Sequence, residues 1–487
     1  MQAAMGAYFG HVWLVRLIIQ RGLAAVYVVA FANVVREFPA LLGEHGLLPV
    51  PAFTRRARFL ETPSLFHWHY SDRLARAVGW AGIVLALVAL SGVGESGPVW
   101  VPILLWLVLW FLYLSVVNVG QAFYGFGWES MLLEAGFFAA FLGPGWMRAP
   151  LVPVLILRWM LFRTELGAGL IKLRGDPCWR DLTCLYYHYE TQPLPNPLSR
   201  RFHRMPRWMH RRAVLFSHFV QVVVPFGLFA PQPVAAVCGG LIIVQQLLLT
   251  VSGNYSWLNW LTVVLGVSAF SDATLGFRSP ATRAAPMAML IVWAALAVFT
   301  VIASIEPVRN LVSSRQAMNR SYNPLHLVGS YGAFGSVTKE RYEIVLEATR
   351  DAVLSESTEW REYEFRAKPG DPRRRPPQVA PYHLRLDWLM WFLPFSVRVQ
   401  QGQLWMPGYE FWFLRLAQRL LTADAATLRL LRSAPLGTER PAFVRALYYR
   451  YRFSTREPAR GEGAWWTREL VGTYLPPMSE RALARLT

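Results

Sequence analysis

Arg158, Glu165 and Lys172 stand seven residues apart in an otherwise apolar run. An α-helix turns 100° per residue, so seven steps return to within about 20° of the start and the three charges share one stripe. Gly167 and Gly169, on the same run, admit a neighbouring backbone, as small residues do between membrane helices. Ionisable groups at membrane depth are costly and face a bundle interior or a wet cavity. The stripe is therefore expected to look at protein or water, not lipid. Lys172 is the sharpest candidate for chemistry. It lies among glycines and leucines, two residues before Arg174, surroundings that make an amine a candidate general base. Pairing with Glu165, or capping the last carbonyls of its helix, is expected ahead of that role.

Other groups with chemical potential cluster on either side. Glu129 and Glu134 sit in a short apolar segment upstream. Ion pairing with Arg158 or Arg163 is expected ahead of proton chemistry, giving, with Glu165, an intramembrane charge network. Downstream, Cys178 and Cys184 flank five residues of a polar loop and read equally as a disulfide or as two reduced thiols. Tyr186, Tyr187, His188 and Tyr189 follow, in a proline-rich run that ends at residue 199. Aromatic side chains with polar tips suit binding surfaces. With Trp179, and with Trp388 and Trp391 further on, they are candidates for contact with a client protein or for closing a lipid-facing cavity. Packing against the C-terminal region is the competing role. The His67-Trp-His69 pair lacks a third ligand at a usual spacing, so no metal is expected. No Ser–His–Asp elbow, P-loop or dinucleotide fingerprint occurs in its required context, so the chain is not read as a lipase and no cofactor is expected.

Membrane helices must position these residues. The chain has 487 residues, 54% of them hydrophobic, too apolar for a soluble globule. Its apolar runs suggest a polytopic α-helical bundle of about eight or nine hydrophobic spans. The bundle is expected over residues 1–305 and includes an extramembrane loop at 174–212. His218, Gln221, Gln245 and Gln246 fall inside spans as interhelical hydrogen-bond partners. No cleavable signal is read, because Arg16 and Arg21 interrupt the first run, which continues as a full span. Residues 306–487 hold no spanning run and read as a soluble α+β domain, partly β-sandwich-like, with a mixed sheet. Alternation predicts strands at 341–349, 362–366, 382–387 and 443–453. The apolar run 387–397 reads as a buried or interfacial helix, and 409–421 and 425–431 as amphipathic helices. The net charge of +19 is almost all arginine and sits between apolar spans without a nucleic-acid motif. It implies loops lying near anionic headgroups and no nucleic-acid partner. Three cysteines exclude a disulfide framework. The arginine-rich segments 43–77 and 174–212 favour the cytoplasmic face by charge.

Several stretches carry a resemblance. GAGLIKLRGDPCWRDLTCLYYHYETQPLPNPLS, which begins at Gly167, resembles the central signature of the lipase maturation factor family. The family's pattern returns in SYGAFGSVTKERYEIVLEAT, in WREYEFRAKPGDPRRRPPQVAPYHLRLDWLMWF and in WWTRELVGTYLPP, which begin at Ser330, Trp360 and Trp465. The resemblance implies a chaperone-like membrane protein that helps secreted lipases reach an active, assembled fold. It implies two partners, the lipid bilayer and a secreted client such as a lipase. It places the protein in the endoplasmic reticulum membrane of a eukaryote, or the cytoplasmic membrane of a bacterium. Because such clients fold in the lumen, it puts the working domain on the face opposite to the one that loop charge favours. A shorter run, Ala168-Gly-Leu-Ile-Lys-Leu173 followed by Trp179, is similar to a membrane helix of the vitamin K-dependent γ-carboxylase superfamily. In that superfamily a lysine at the matching place is the proposed base. This implies, as an alternative, an integral-membrane enzyme using Lys172. The oligomeric state is left open.

Overall fold

The computed structural model describes residues 8–400, 403–455 and 463–486. The first helix, α1, spans Trp13–Leu42 and crosses the two arginines that break its apolar run. Arg16 is fully buried. Its guanidinium donates to the carbonyls of Pro144 (2.7 Å), Met147 (2.9 Å) and Gly145 (3.1 Å), which is how a charge can sit inside an apolar helix without solvent. Arg21 pairs with Glu95 in the turn between α2 (Asp72–Ser91) and α3 (Trp100–Asn118). Helix α2 starts where Ser71 accepts the Leu74 amide and Asp72 opens the first turn, both favourable at a positive helix end. Then come α4 (Gly127–Ala139) and the central helix α5 (Leu151–Arg174). A strap follows, containing the short helix α6 (Leu185–Thr191).

Helix α7 (Arg207–His218) runs without a break into one wide turn, Phe219–Val223, bonded in the π pattern. The second half of the bundle is α8 (Val234–Ser252), α9 (Leu258–Gly266) and α10 (Met287–Ala303), the last continued by α11 (Ile305–Val312).

Among the described residues, five helices are long and apolar enough to cross a membrane: α1, α2, α3, α8 and the run Met287–Val312. Five is fewer than the eight or nine spans read from hydropathy, and two of the other apolar runs show why. Helix α4 has only 13 residues, and α5 carries Arg158, Arg163, Glu165, Lys172 and Arg174 and is buried over most of its length. Length keeps α4, and charge keeps α5, out of the five.

The C-terminal region is built on one four-stranded sheet in the order β2-β1-β5-β6, from β1 (Arg341–Thr349), β2 (Arg361–Glu362), β5 (Phe443–Phe453) and β6 (Trp466–Met478). Every pairing is antiparallel, so the expected mixed sheet is corrected. A separate two-stranded pair joins β3 (Arg398–Gln400) and β4 (Gln403–Trp405). Strand β6 was not anticipated, because Gly472, Pro476 and Pro477 disrupt its pattern. Its place at the sheet edge tolerates them. The expected strand at 382–387 is instead the entry to helix α12 (Arg385–Phe392). Its backbone finds side-chain partners in place of a neighbouring strand: the Arg385 amide donates to Glu37 (3.1 Å). At 362–366 only Arg361–Glu362 pairs with β1, and at 425–431 only the turn Ala425–Leu428 is helical, after α13 (Phe411–Leu421).

Candidate functional site

The stripe on α5 faces inward. Arg158 and Lys172 are 0% and 6% exposed, and Arg163 and Glu165 are each 1% exposed, so none of the four charges meets lipid. The wide turn in α7 matters here. Its extra residue per turn shifts the register of the helix, as such turns often do near functional groups. It sets Gln221 between two charges of α5. Lys172 Nζ donates to Gln221 Oε1 (2.6 Å), and Gln221 Nε2 donates to Glu165 Oε2 (3.2 Å). Gln246 of α8 donates to Glu165 Oε1 (2.7 Å), and Asn259 of α9 donates to Gln246 (2.7 Å). A continuous polar chain thus links four helices, with each interhelical bond worth about 0.6–1.7 kcal/mol. Lys172 and Glu165 do not touch; an amide joins them.

The remaining carboxylates and arginines sort differently from the expected network. Glu134 pairs with Arg163, and its other oxygen accepts from the Gly329 amide (2.9 Å) and the Tyr331 hydroxyl (2.7 Å). Arg158 takes no carboxylate and donates instead to the carbonyls of Leu228 and Ser268. Glu129 goes to the C-terminal region, where Arg385 donates to it (2.7 Å) and also to the Phe123 carbonyl (2.7 Å). Asn33, Glu37 and Tyr113 of the bundle complete this cluster, and Arg385 lies 3.4 Å over the Tyr124 ring. Its distance in sequence hid the pairing. The residue types were visible, but the partner lies 256 positions away.

The strap is held from both sides. Arg341 of β1 donates to the carbonyls of Glu190 (3.0 Å), Gln192 (2.5 Å) and Pro193 (3.0 Å). Trp391 Nε1 donates to Thr191 O (2.9 Å). Asn254, in the turn between α8 and α9, donates to Pro195 O (3.2 Å) and Pro377 O (2.9 Å) while accepting from the amides of Val379 and Ala380. At the start of the strap, Cys178 and Cys184 are joined as a disulfide. Trp179 lies between them, its ring 5.0 Å from Lys172 Nζ and its Nε1 donating to Phe334 O (2.9 Å).

Of the residues read as contacting a client, closing a cavity or packing on the C-terminal region, Trp179, His188, Tyr189 and Trp388 are buried. Tyr186, Tyr187 and Trp391 are half-buried.

The four buried aromatics face a cavity of about 830 Å³ between α5, α8, α9, the strap and α12. The polar chain from Lys172 to Asn259 lies on its wall, and Trp391, Phe392 and Phe395 also line it. No group of three or more His, Cys, Asp or Glu that could hold a metal occurs among the described residues.

Three histidines outside the spans are held neutral. Burial, with the nearby charge of Lys172, brings His188 down to about 3. Its ring nitrogen lies 2.9 Å from the Tyr255 hydroxyl, whose proton goes to Gln192, so the imidazole donates here. Burial brings His326 and His383 down to about 4, with Arg385 adding to the effect on His383. An unfolded histidine binds its proton near pH 6.5. Between about pH 6.5 and 4 the unfolded chain therefore holds more protons, and stability falls as the pH drops through that window. Glu190 and Asp387, raised by burial, act in the opposite sense. The expected result is a lower unfolding midpoint at pH 5 than at pH 7.5, with a shallower slope in His188→Gln. Equal slopes in the two proteins would refute this account of His188.

Residues 14–277 match the lipase maturation factor transmembrane domain and residues 327–476 match the lipase maturation factor C-terminal domain. Lipase maturation factor 1 of Bos taurus is 42% identical over 520 residues, covering 97% of this chain and 90% of the relative. The Homo sapiens protein of that name is 42% identical over 514 residues, covering 96% and 88%. Lipase maturation factor 2 of Homo sapiens is 28% identical over 605 residues, covering 95% and 82%. No solved structure matches the chain. None of these relatives is named as a carboxylase, and they lend no support to the enzymatic reading of Lys172. With both domains matched in order and relatives aligned nearly end to end, this chain belongs to the lipase maturation factor family.

Proposed function

We propose that the protein assists the folding or assembly of secreted lipases or related enzymes at the membrane, by holding the client and without transforming it chemically. The observation that carries this reading is the 42% identity to lipase maturation factor 1 across 97% of the chain. The geometry gives it a physical form. The C-terminal sheet and the bundle are locked together through the strap and the Arg385 cluster, so a client bound to the tail is held at a fixed position relative to the bilayer. The client-facing surface is the half-exposed edge of the strap, Tyr186 and Tyr187, together with Trp391 and its exposed neighbours Phe392 and Phe395. Aromatic residues of this kind bury area at low entropic cost. The client folds on the lumenal face of the endoplasmic reticulum in a eukaryote, or outside the cytoplasmic membrane in a bacterium.

The test is deletion of the gene, with secreted lipase measured both as protein and as activity. The expected result is a fall in activity per lipase molecule of about tenfold or more, reversed by restoring this chain. Protein and activity falling in proportion would show that maturation is not the affected step.

A further inference from the structure

The cavity beside α5 has three properties that together select a ligand. Its walls are mostly apolar and aromatic, with polar side chains from α5, α8 and α9 and further ones, such as His188, Gln316 and Asn319, from the strap and the segment after α11. Two of its lining side chains, both more than nine-tenths buried, have a polar atom with no hydrogen-bond partner: Gln245 Oε1, an acceptor, and Trp128 Nε1, a donor. Buried polar atoms are ordinarily paired, and an unpaired one in a cavity wall marks a place where a partner belongs. The third property is the position of the opening. The lining residues exposed to the surface fall into two groups: Leu248 of α8, a membrane-length helix, with Phe392 and Phe395 at and just beyond the end of α12, and a second set made of Ala122, Gly125, Met318, Asn319 and Ser336. The Leu248, Phe392 and Phe395 group is apolar and includes a residue of a helix long enough to cross the bilayer, whereas the second group carries the polar Asn319 and Ser336. A ligand entering past Leu248, Phe392 and Phe395 meets apolar side chains first.

The charge at the floor narrows the class further. Lys172 and Glu165 both face the cavity and are tied to the same amide, Gln221, so their charges balance locally. An anionic head would stand beside Glu165 and a cationic one beside Lys172, each at a desolvation cost with no free counter-charge. We infer that the cavity binds a neutral lipid whose polar end carries a hydroxyl beside a carbonyl, the chemistry of an acylglycerol or a ceramide. The hydroxyl donates to Gln245 Oε1, and the carbonyl accepts from Trp128 Nε1. The acyl chain runs along Trp388 and Trp391 towards Phe395 at the mouth. A cavity of about 830 Å³ is within the size range of lipid and drug-sized sites.

The test uses the full chain in phosphatidylcholine nanodiscs with a monoacylglycerol bearing a photoreactive group at the end of its acyl chain. Labelled peptides are mapped by mass spectrometry. Saturable labelling is expected on the peptides containing Leu248 and residues 388–395. Unlabelled monoacylglycerol or ceramide should suppress it, and the stronger competitor identifies the source of the shared chemistry. Cholesterol, which has a hydroxyl but no carbonyl, and oleate, which is charged, should not suppress it. Gln245→Leu and Trp128→Phe each remove one hydrogen bond and should weaken labelling about five- to tenfold at unchanged unfolding midpoint. Trp128→Phe keeps most of the ring and carries the test if the leucine variant fails to fold. Labelling confined to other peptides, equal suppression by cholesterol or oleate, or wild-type labelling of Trp128→Phe would each overturn the assignment.

Discussion

Arg385→Met is expected to destabilise the protein by about 3–5 kcal/mol, the usual consequence of leaving a buried charge without its partner. Both members of the pair, Arg385 and Glu129, have side chains with no solvent exposure. Methionine fills a similar volume, so the loss is electrostatic and not a cavity. With Arg385 removed, Glu129 keeps the Tyr113 hydroxyl and the His383 ring, 3.7 Å away, but no arginine, and Asn33 and the Phe123 carbonyl lose the guanidinium as well. The measurement is the thermal unfolding midpoint in detergent, followed both in the bundle and in the C-terminal sheet. Removing the orphaned charge should return part of the loss, so Glu129→Gln combined with Arg385→Met should unfold at a higher temperature than Arg385→Met alone. A single variant with the wild-type midpoint, or a double variant that unfolds earlier than the single one, would contradict the pairing.

Gly167→Ala is the second large effect, and it is clearest beside a control. In the interior of a helix alanine is favoured over glycine by roughly 1 kcal/mol. Gly240 of α8 has only the tip of Phe270 near the added carbon, at 3.8 Å, so Gly240→Ala should hold or raise stability. At Gly167 the added carbon would lie 2.1 Å from the Tyr331 carbonyl oxygen, so backbone must move. That backbone is not free to give way. Gly329 and Tyr331 both bond Glu134, and Arg163 donates to the Gly329 carbonyl. Overpacking alone costs about 1–3 kcal/mol, and disturbing the Glu134–Arg163 pair adds to it. The expected outcome is opposite signs for two substitutions of the same type. Equal midpoints for the two variants would mean that the contact at Gly167 is not tight.

The period of the charges on α5 was readable because it is local. Seven-residue spacing fixes which side chains share a face whatever surrounds them, and two glycines on one turn announce a close neighbour. Strands β1 and β5 were readable for the same reason, since alternation is a property of a few consecutive residues. What could not be read depends on distant parts of the chain. Apolar runs alone do not fix how many segments cross the bilayer: the short α4 and the charged α5 read as spans by hydropathy but are not among the five helices long and apolar enough to cross. The alternation at 382–387 resembled a strand because Arg385, Asp387 and His383 are polar. Those residues are instead committed to the bundle and to the amides of Ala367 and Lys368. Burial of Trp179, His188, Tyr189 and Trp388 was likewise hidden. An aromatic side chain with a polar tip serves a cavity wall as well as an exterior surface.

The lock formed by Arg385 also has a bearing on biosynthesis. A ribosome delivers Asn33, Glu37 and Glu129 to the membrane long before it delivers the residue that satisfies them. Until then the inserted half carries an acidic side chain in its interior with no cation to meet it. A chain that terminates before residue 385 therefore lacks the group to which both Glu37 and Glu129 are bonded in the complete fold, and its bundle is expected to be less stable than that of the full chain.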